Sequence, residues 1–394
     1  MSAVLLATLL LVAVVLLNGL GVFWPTEIVE VTLEDGKTML GQWMRTETNP
    51  DTTAESVQLK TANRELDPQR MDFHWYPALA IREVTTPPDV YVLERLENGN
   101  FFGFLEDLNV PSLDASASGV TAAALRAALA EMRRRKAEEI APLASQLSTL
   151  NSELQQTRDQ ILRIEYRQRK AADTSGALDS QLAALRKDEA EIRAASDRVV
   201  VQKGKLEAEL RKNVAQFRTA SGQIEAIPLL DIVRVYQPNS MSLGAKLGHY
   251  AAKVWELLWD EPRESNTEGG LFPAIFGTVM LVFVMSVTCF PLGVLAGVYL
   301  GEYAREGTLV RLVRIAVNNL AGIPSIVYGI FGLGFFVYGV GGVLDRWLYP
   351  ERAAAGVPSY GTGGTFLASM TLGLLDLPVV IVATEEALRT IPRG

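Results

Sequence analysis

Residues 315–344 read IAVNNLAGIPSIVYGIFGLGFFVYGVGGVL, an uncharged run. At about 1.5 Å of rise per residue, a helix of this length exceeds the ~30 Å hydrocarbon core of a bilayer. Residues 271–300 read the same way, and so, apart from Asp376, does 365–384. So does 2–23 (SAVLLATLLLVAVVLLNGLGVF), closed by Trp24 and Pro25, an interfacial aromatic and a helix stop. Charged residues crowd instead between 27 and 268. Only 21% of the 394 residues are charged and 48% are hydrophobic. That segregation marks a membrane protein with a large soluble insert. Residues 2–23 are expected to be an anchor rather than a cleaved signal, because no Lys or Arg precedes them. The missing basic start also leads us to expect a natural start further upstream.

The insert changes character along its length. Residues 26–116 read as a small β domain. Asp35-Gly36 and Asn98-Gly99 mark tight turns, and extended segments are expected at Val57–Thr61, Val90–Leu96 and Phe101–Leu105. The patches 49–54 and 85–89 read as loops. Residues 117–219 carry apolar positions alternately three and four apart. The first set is Leu143, Leu147, Leu150, Leu154, Ile161 and Ile164. After Asp173-Thr174-Ser175-Gly176 the set is Leu178, Leu182, Leu185, Ile192, Val199, Leu206, Leu210 and Phe217. This heptad seam, broken near a central Gly, predicts an antiparallel coiled-coil hairpin, with one long dimeric helix as the alternative. Pro142 is expected to kink the first arm or begin its main part. Residues 220–269 then return as a strand, Ile227–Tyr236, and an amphipathic, tryptophan-bearing approach to the membrane. Residues 270–394 hold the remaining three spans.

The net charge of −8 excludes a nucleic-acid partner, which needs a basic surface. One cysteine, Cys289, and two histidines in no ligand spacing leave no disulfide framework and no metal site. Nucleotide-binding loops and nucleophile elbows are absent from the sequence, so neither an enzyme nor a cofactor is expected.

The informative polar residues lie in the spans. Asn318, Asn319, Pro324 and Ser325 read as a place where a transport helix unwinds or lines a path. A proline kink with inter-helix amide bonds is the plainer reading. Asp376, deep in the last span, faces a bundle interior, water or a cation. Glu385, Glu386 and Arg389 stand at that span's end, where Glu385 and Arg389 share a helix face. They read as a gate or partner-facing surface, or as a solvated helix end. Arg305, Arg311, Arg314, Arg389 and Arg393 on one side, against Lys253, Arg263, Arg346 and Arg352 on the other, put loop 301–314 and the C-terminus in the cytoplasm.

The stretches 276–304 (FGTVMLVFVMSVTCFPLGVLAGVYLGEYA), 317–337 (VNNLAGIPSIVYGIFGLGFFV) and 375–394 (LDLPVVIVATEEALRTIPRG) resemble the permeases of bacterial phosphate ABC importers. They are closer to the PstA type than to the PstC type. The resemblance implies a type I (MetI-like) importer permease in the inner membrane, and the charge bias above puts residues 26–269 on the extracytoplasmic side. The resemblance also implies four kinds of partner: a second, PstC-type permease subunit, ATPase subunits, an extracytoplasmic phosphate-binding protein and membrane lipid. In the family a coupling helix and two further spans follow the IPR segment, so a C-terminal truncation is expected. Some members carry an arginine where this chain has Ile381-Val382-Ala383, which shifts anion contact toward Arg389 or the partner permease. A coiled-coil scaffold or signalling protein, and a permease for another oxyanion, are the competing functions. The scaffold does not explain the polar, proline-broken spans.

Overall fold

The computed structural model describes residues 2–48, 55–66, 71–111, 121–171, 176–263, 268–320 and 322–390. The expected turns at 49–54 and 173–175, part of the loop near 261–270, and residues 391–394 lie outside them. Internal contacts divide the chain into two compact units: residues 1–148 with 197–272, and 149–196 with 273–394.

The first unit opens with the apolar helix α1 (Ser2–Gly21). Ten strands follow in two five-stranded antiparallel sheets. The first sheet holds β1 (Ile28–Leu33), β2 (Thr38–Thr48), β3 (Glu55–Thr61), β4 (Phe73–Pro77) and β5 (Ile81–Thr85) in the order β4-β3-β2-β1-β5. The second holds β6 (Tyr91–Arg95), β7 (Phe101–Asn109), β8 (Val214–Arg218), β9 (Ile224–Pro228) and β10 (Ile232–Tyr236) in the order β10-β6-β7-β8-β9.

These orders are one topology repeated. In both sheets the last two strands are joined by a single 3₁₀ turn after a proline, Ala78–Ala80 after Pro77 and Leu229–Asp231 after Pro228. Both carry a β-bulge in the second strand, at Trp43/Arg45 and at Leu105/Asp107. Both break register again where the first strand meets the last. A bulge adds one residue and bends the strand, so its recurrence marks the same local design. Asn98 and Gly99, both at positive φ, close the β6–β7 hairpin as the Asn-Gly pair predicts.

Between β7 and β8 the chain leaves the sheet. α2 (Ala122–Arg135) is capped by the Thr121 hydroxyl, which accepts from Ala124 N at 3.2 Å. Its Leu125, Ala128, Leu129 and Met132 are buried with Phe101, Leu210, Phe217 and Leu229 in one core. Each buried Leu, Met and Phe side chain contributes about 1.5–3 kcal/mol. A π turn at Lys136–Ile140 leads into α3 (Ala141–Ala171), just ahead of Pro142, whose ring removes a helical hydrogen bond. α4 (Gly176–Leu210) returns. Ion pairs Arg158–Glu189 (2.8 Å) and Arg186–Glu165 (3.0 Å), with the Gln168–Asp179 hydrogen bond (2.8 Å), join the two helices. Partners descend on α4 as they rise on α3, so the helices run antiparallel. Helix ends at Leu210, not near 219. Asn213 donates its side-chain amide to Leu210 O (2.9 Å), and Phe217, which fits the heptad spacing, is a buried residue of β8. The return therefore holds three strands rather than one.

α5 (Leu243–Trp259) starts on Ser242, whose hydroxyl accepts from Ala245 N. Leu243, Leu247, Trp255 and Trp259 form an exposed stripe along it. Its other face carries Lys253 and Glu256. Glu256 is enclosed by Arg263 (2.5 Å), Arg234 (3.0 Å) and Lys253 (3.3 Å), and Lys253 also reaches Glu94 at 2.6 Å.

Among the described residues three helical rods are long and apolar enough to cross a membrane: Phe272–Tyr303, Ser325–Leu348 and Thr365–Arg389. They comprise α6 (Phe272–Val298) with a π turn at Tyr299–Tyr303; α8 (Ser325–Phe331), a π segment (Gly332–Gly341) and α9 (Gly342–Leu348); and α11 (Thr365–Arg389). A separate amphipathic helix, α7 (Thr308–Leu320), precedes the second rod, and the short α10 (Pro350–Ala354) follows it. The span read as 315–344 thus begins ten residues later, at Ser325. Pro324 disfavours helix in the residue before it, and Gly322 weakens it further. Asn318 and Asn319 therefore close α7 rather than open a span.

Candidate functional site

The site is built on the pairing of α6 with α11. Ser369 donates its hydroxyl to Leu281 O (3.2 Å), and the Cys289 thiol donates to Gly373 O (3.0 Å). Further along, Gly297 lies against Thr384 and Gly301 against Leu388. Positions rise together on both helices, so α6 and α11 are parallel. A β-carbon added at Gly297 would stand 2.6 Å from Thr384 Cβ and 2.9 Å from Ile381 O, so the close approach needs glycine there.

This register brings the end of α11 beside the π turn of α6 and the outer face of α7. Leu300, Arg314, Val317, Asn318, Ile381, Val382, Glu385, Glu386 and Arg389 line a cavity of about 290 Å³. Glu385 is its centre, with a side chain only 13% exposed. Arg314 Nε and Arg389 Nη2 both stand 3.8 Å from Glu385 Oε2. Arg314 also donates from Nη2 to Leu300 O at 2.7 Å, while its buried Nε makes no hydrogen bond. Two cations share one largely buried carboxylate, and the exposed Glu386 also lines the cavity.

Of the sequence candidates, Asn318, Glu385, Glu386 and Arg389 meet here. Asn319 is exposed on α7 outside the cavity. Pro324 and Ser325 start α8, where the Tyr328 hydroxyl donates to Leu320 O (2.8 Å) across the helix break. Asp376 is half-buried on α11, more than two turns before Glu385, and does not line the cavity. Arg314 was counted only for topology. Its spacing of four from Asn318 was the available signal that the two share a face. Asp345 was also missed. In the first turn of α9 its buried carboxylate accepts from the backbone N–H groups of Ser359 (2.9 Å), Tyr360 (3.0 Å) and Gly361 (2.7 Å) and so fixes the loop before α11. Among the described residues no cluster of His, Cys, Asp or Glu could hold a metal ion.

Three apolar rods among the described residues, each long enough to cross a bilayer, define the class of an integral membrane protein. Within it the chain is similar to named phosphate permeases. It is 36% identical over 124 residues to the phosphate transport system permease protein PstA 1 of Mycobacterium tuberculosis, covering 32% of this chain and 34% of that one. It is 30% identical over 198 residues to PstA of Mycobacterium leprae, covering 49% and 56%. Against a probable ABC transporter permease of Bacillus subtilis, YqgI, the identity is 30% over 125 residues, covering 32% and 36%. The chain thus spans roughly a third to somewhat over half the length of these relatives. No family model and no solved structure matches it.

Proposed function

We propose that the chain is the permease subunit of an ATP-driven importer of inorganic phosphate. The similarity to PstA proteins carries this reading. In it, α6, the α8–α9 rod and α11 line part of the transport path together with a second permease subunit. ATPase subunits supply the energy, and an extracytoplasmic phosphate-binding protein delivers the anion. The Arg314–Glu385–Arg389 cavity is the inner mouth, where ATPase movements reach the path.

The parallel course of α6 and α11 supports the sidedness. Both then enter the membrane from the outside, so α10 and the segment before α6 are extracytoplasmic, and α7 and Arg389 are cytoplasmic. The exposed Leu243–Leu247–Trp255–Trp259 stripe suits α5 to the outer membrane surface. We read α3 and α4 as an extracytoplasmic antiparallel coiled-coil hairpin, supported by the ion pairs that join them.

Uptake of labelled phosphate by cells carrying the full-length protein tests the reading. Replacing both Glu385 and Glu386 by Gln leaves Arg314 and Arg389 unbalanced. We expect uptake to fall at least about tenfold, on the scale of one lost buried charge partner. Normal high-affinity uptake after deletion of the gene would refute the assignment.

A further inference from the structure

Near its turn the helical hairpin meets the short helix that follows the second rod. Arg163 of α3 pairs with Glu351 of α10 at 3.1 Å, and Asp159 pairs with Arg352 at 3.7 Å. These crossed pairs fix one face of α3 over the end of the span. The same face carries Arg167 and Lys170, four and seven residues beyond Arg163, hence on one side of the helix. Together with Trp347, Leu348 and Pro350 they border a groove of about 920 Å³.

Charge in this groove is unbalanced. Glu351 is its single acidic lining residue and is already held by Arg163. Arg167 and Lys170 are exposed and, among the described residues, have no ion-pair or hydrogen-bond partner. The opposite wall is apolar. Trp347 is 78% exposed and Leu348 46%, at the last turn of a helix long enough to span a bilayer. A tryptophan at such a place sits at the headgroup level.

We propose that this groove binds an anionic phospholipid, its headgroup phosphate between Arg167 and Lys170 and its acyl chains along Trp347 and Leu348. A free phosphate ion shares the anionic group but has no use for an apolar wall, and the groove is far larger than that ion. The site rests on the reading that Ser325–Leu348 crosses the membrane, and it adds a lipid contact to a helical arm remote from the proposed inner mouth.

The full chain, purified in mild detergent with an equal mixture of phosphatidylglycerol and phosphatidylcholine, is examined by native mass spectrometry. Retention of phosphatidylglycerol over phosphatidylcholine is expected. The double variant R167S/K170S should weaken that retention by about 25-fold, the effect of two basic groups near a charged lipid surface. The charge-preserving R167K/K170R should keep it, which separates lost charge from lost folding. Equal retention of both lipids, or no change in R167S/K170S, overturns the proposal. Displacement of phosphatidylglycerol by excess inorganic phosphate, or by an acidic protein added instead, overturns it in favour of that ligand. Resistance of the chain to alkaline carbonate extraction tests the membrane reading separately, so an inserted chain without lipid preference refutes this site alone.

Discussion

Gly297→Leu is expected to destabilise the helical core by about 3 kcal/mol, the upper range for overpacking. The reason is the shape of the α6–α11 contact. A β-carbon at 297 already stands 2.9 Å from the Ile381 carbonyl, which belongs to the backbone of a helix and cannot turn aside. Thr384 closes the other side, and its hydroxyl is held by Val380 O at 2.7 Å. Leucine therefore separates the two helices and pulls Glu385 away from Leu300 and Arg314. Gly297→Ala should cost less, about 1 kcal/mol, because a small shift relieves a single methyl group. The midpoint of denaturant unfolding of the purified protein measures both. A leucine variant with an unchanged midpoint would mean that α6 and α11 do not meet at this residue.

Glu256→Gln should loosen α5 by a similar amount, about 3 kcal/mol, or roughly 150-fold in hydrogen-exchange protection of its amides. The Glu256 side chain is 6% exposed and is the common partner of Lys253, Arg234 and Arg263. Removing its charge leaves three cations with Glu94 as their remaining carboxylate, 2.6 Å from Lys253 and 3.8 Å from Arg234, and leaves Arg263 with none among the described residues. The pH dependence follows from two groups. Burial raises the Glu256 pKa, but Lys253, Arg263 and Arg234 outweigh it and hold the carboxyl below its ordinary 4.5. A depressed carboxyl contributes stability in full above its unfolded pKa and loses it as pH falls through the folded one. This limb lies below about pH 4.5. Burial likewise lowers the pKa of His249, which packs 4.3 Å from the Tyr236 ring. The unfolded chain then takes up the histidine proton first, so its contribution begins to fall already below about pH 6.5. The Glu256→Gln variant should keep the upper limb and lose the lower one. An acid profile identical to that of the unaltered protein would show that the cluster does not hold α5.

Much of the architecture was legible because its signals are local. The apolar runs at 271–300 and 365–384, the second interrupted only by Asp376, fall on rods of the structure, and Asn98-Gly99 makes the turn that its dihedral preferences dictate. What escaped depends on pairing. Phe217 fits a heptad as well as a strand, and only its partner Leu105 on β7 decides between them. The doubled β topology is carried by 3₁₀ turns and bulges, which are backbone features with no fixed residue signature. Within the site, Glu385, Glu386 and Arg389 announce themselves as charges at a span end. Arg314 does not, because its role comes from a helix distant in sequence. Pro324 signalled the break correctly, but the apolar residues on both sides hid which side of it Asn318 and Asn319 belong to.

The doubled sheet has a further consequence for the helical arm. β7 ends and β8 begins at Asn109 and Val214, which face each other in the ladder. In the first sheet the equivalent strands are joined across residues 49–54 alone. The sheet thus asks only that the two chain ends return side by side, and the entropic cost of closing such an excursion rises slowly with its length. α2 is tied into the core and α3 is held again at Asp159 and Arg163, so a change of length is tolerated only outside these fixed points. The sheet sets only where the excursion must return, so the sequence between Asn109 and Val214 can vary in length without retuning the strands that flank it.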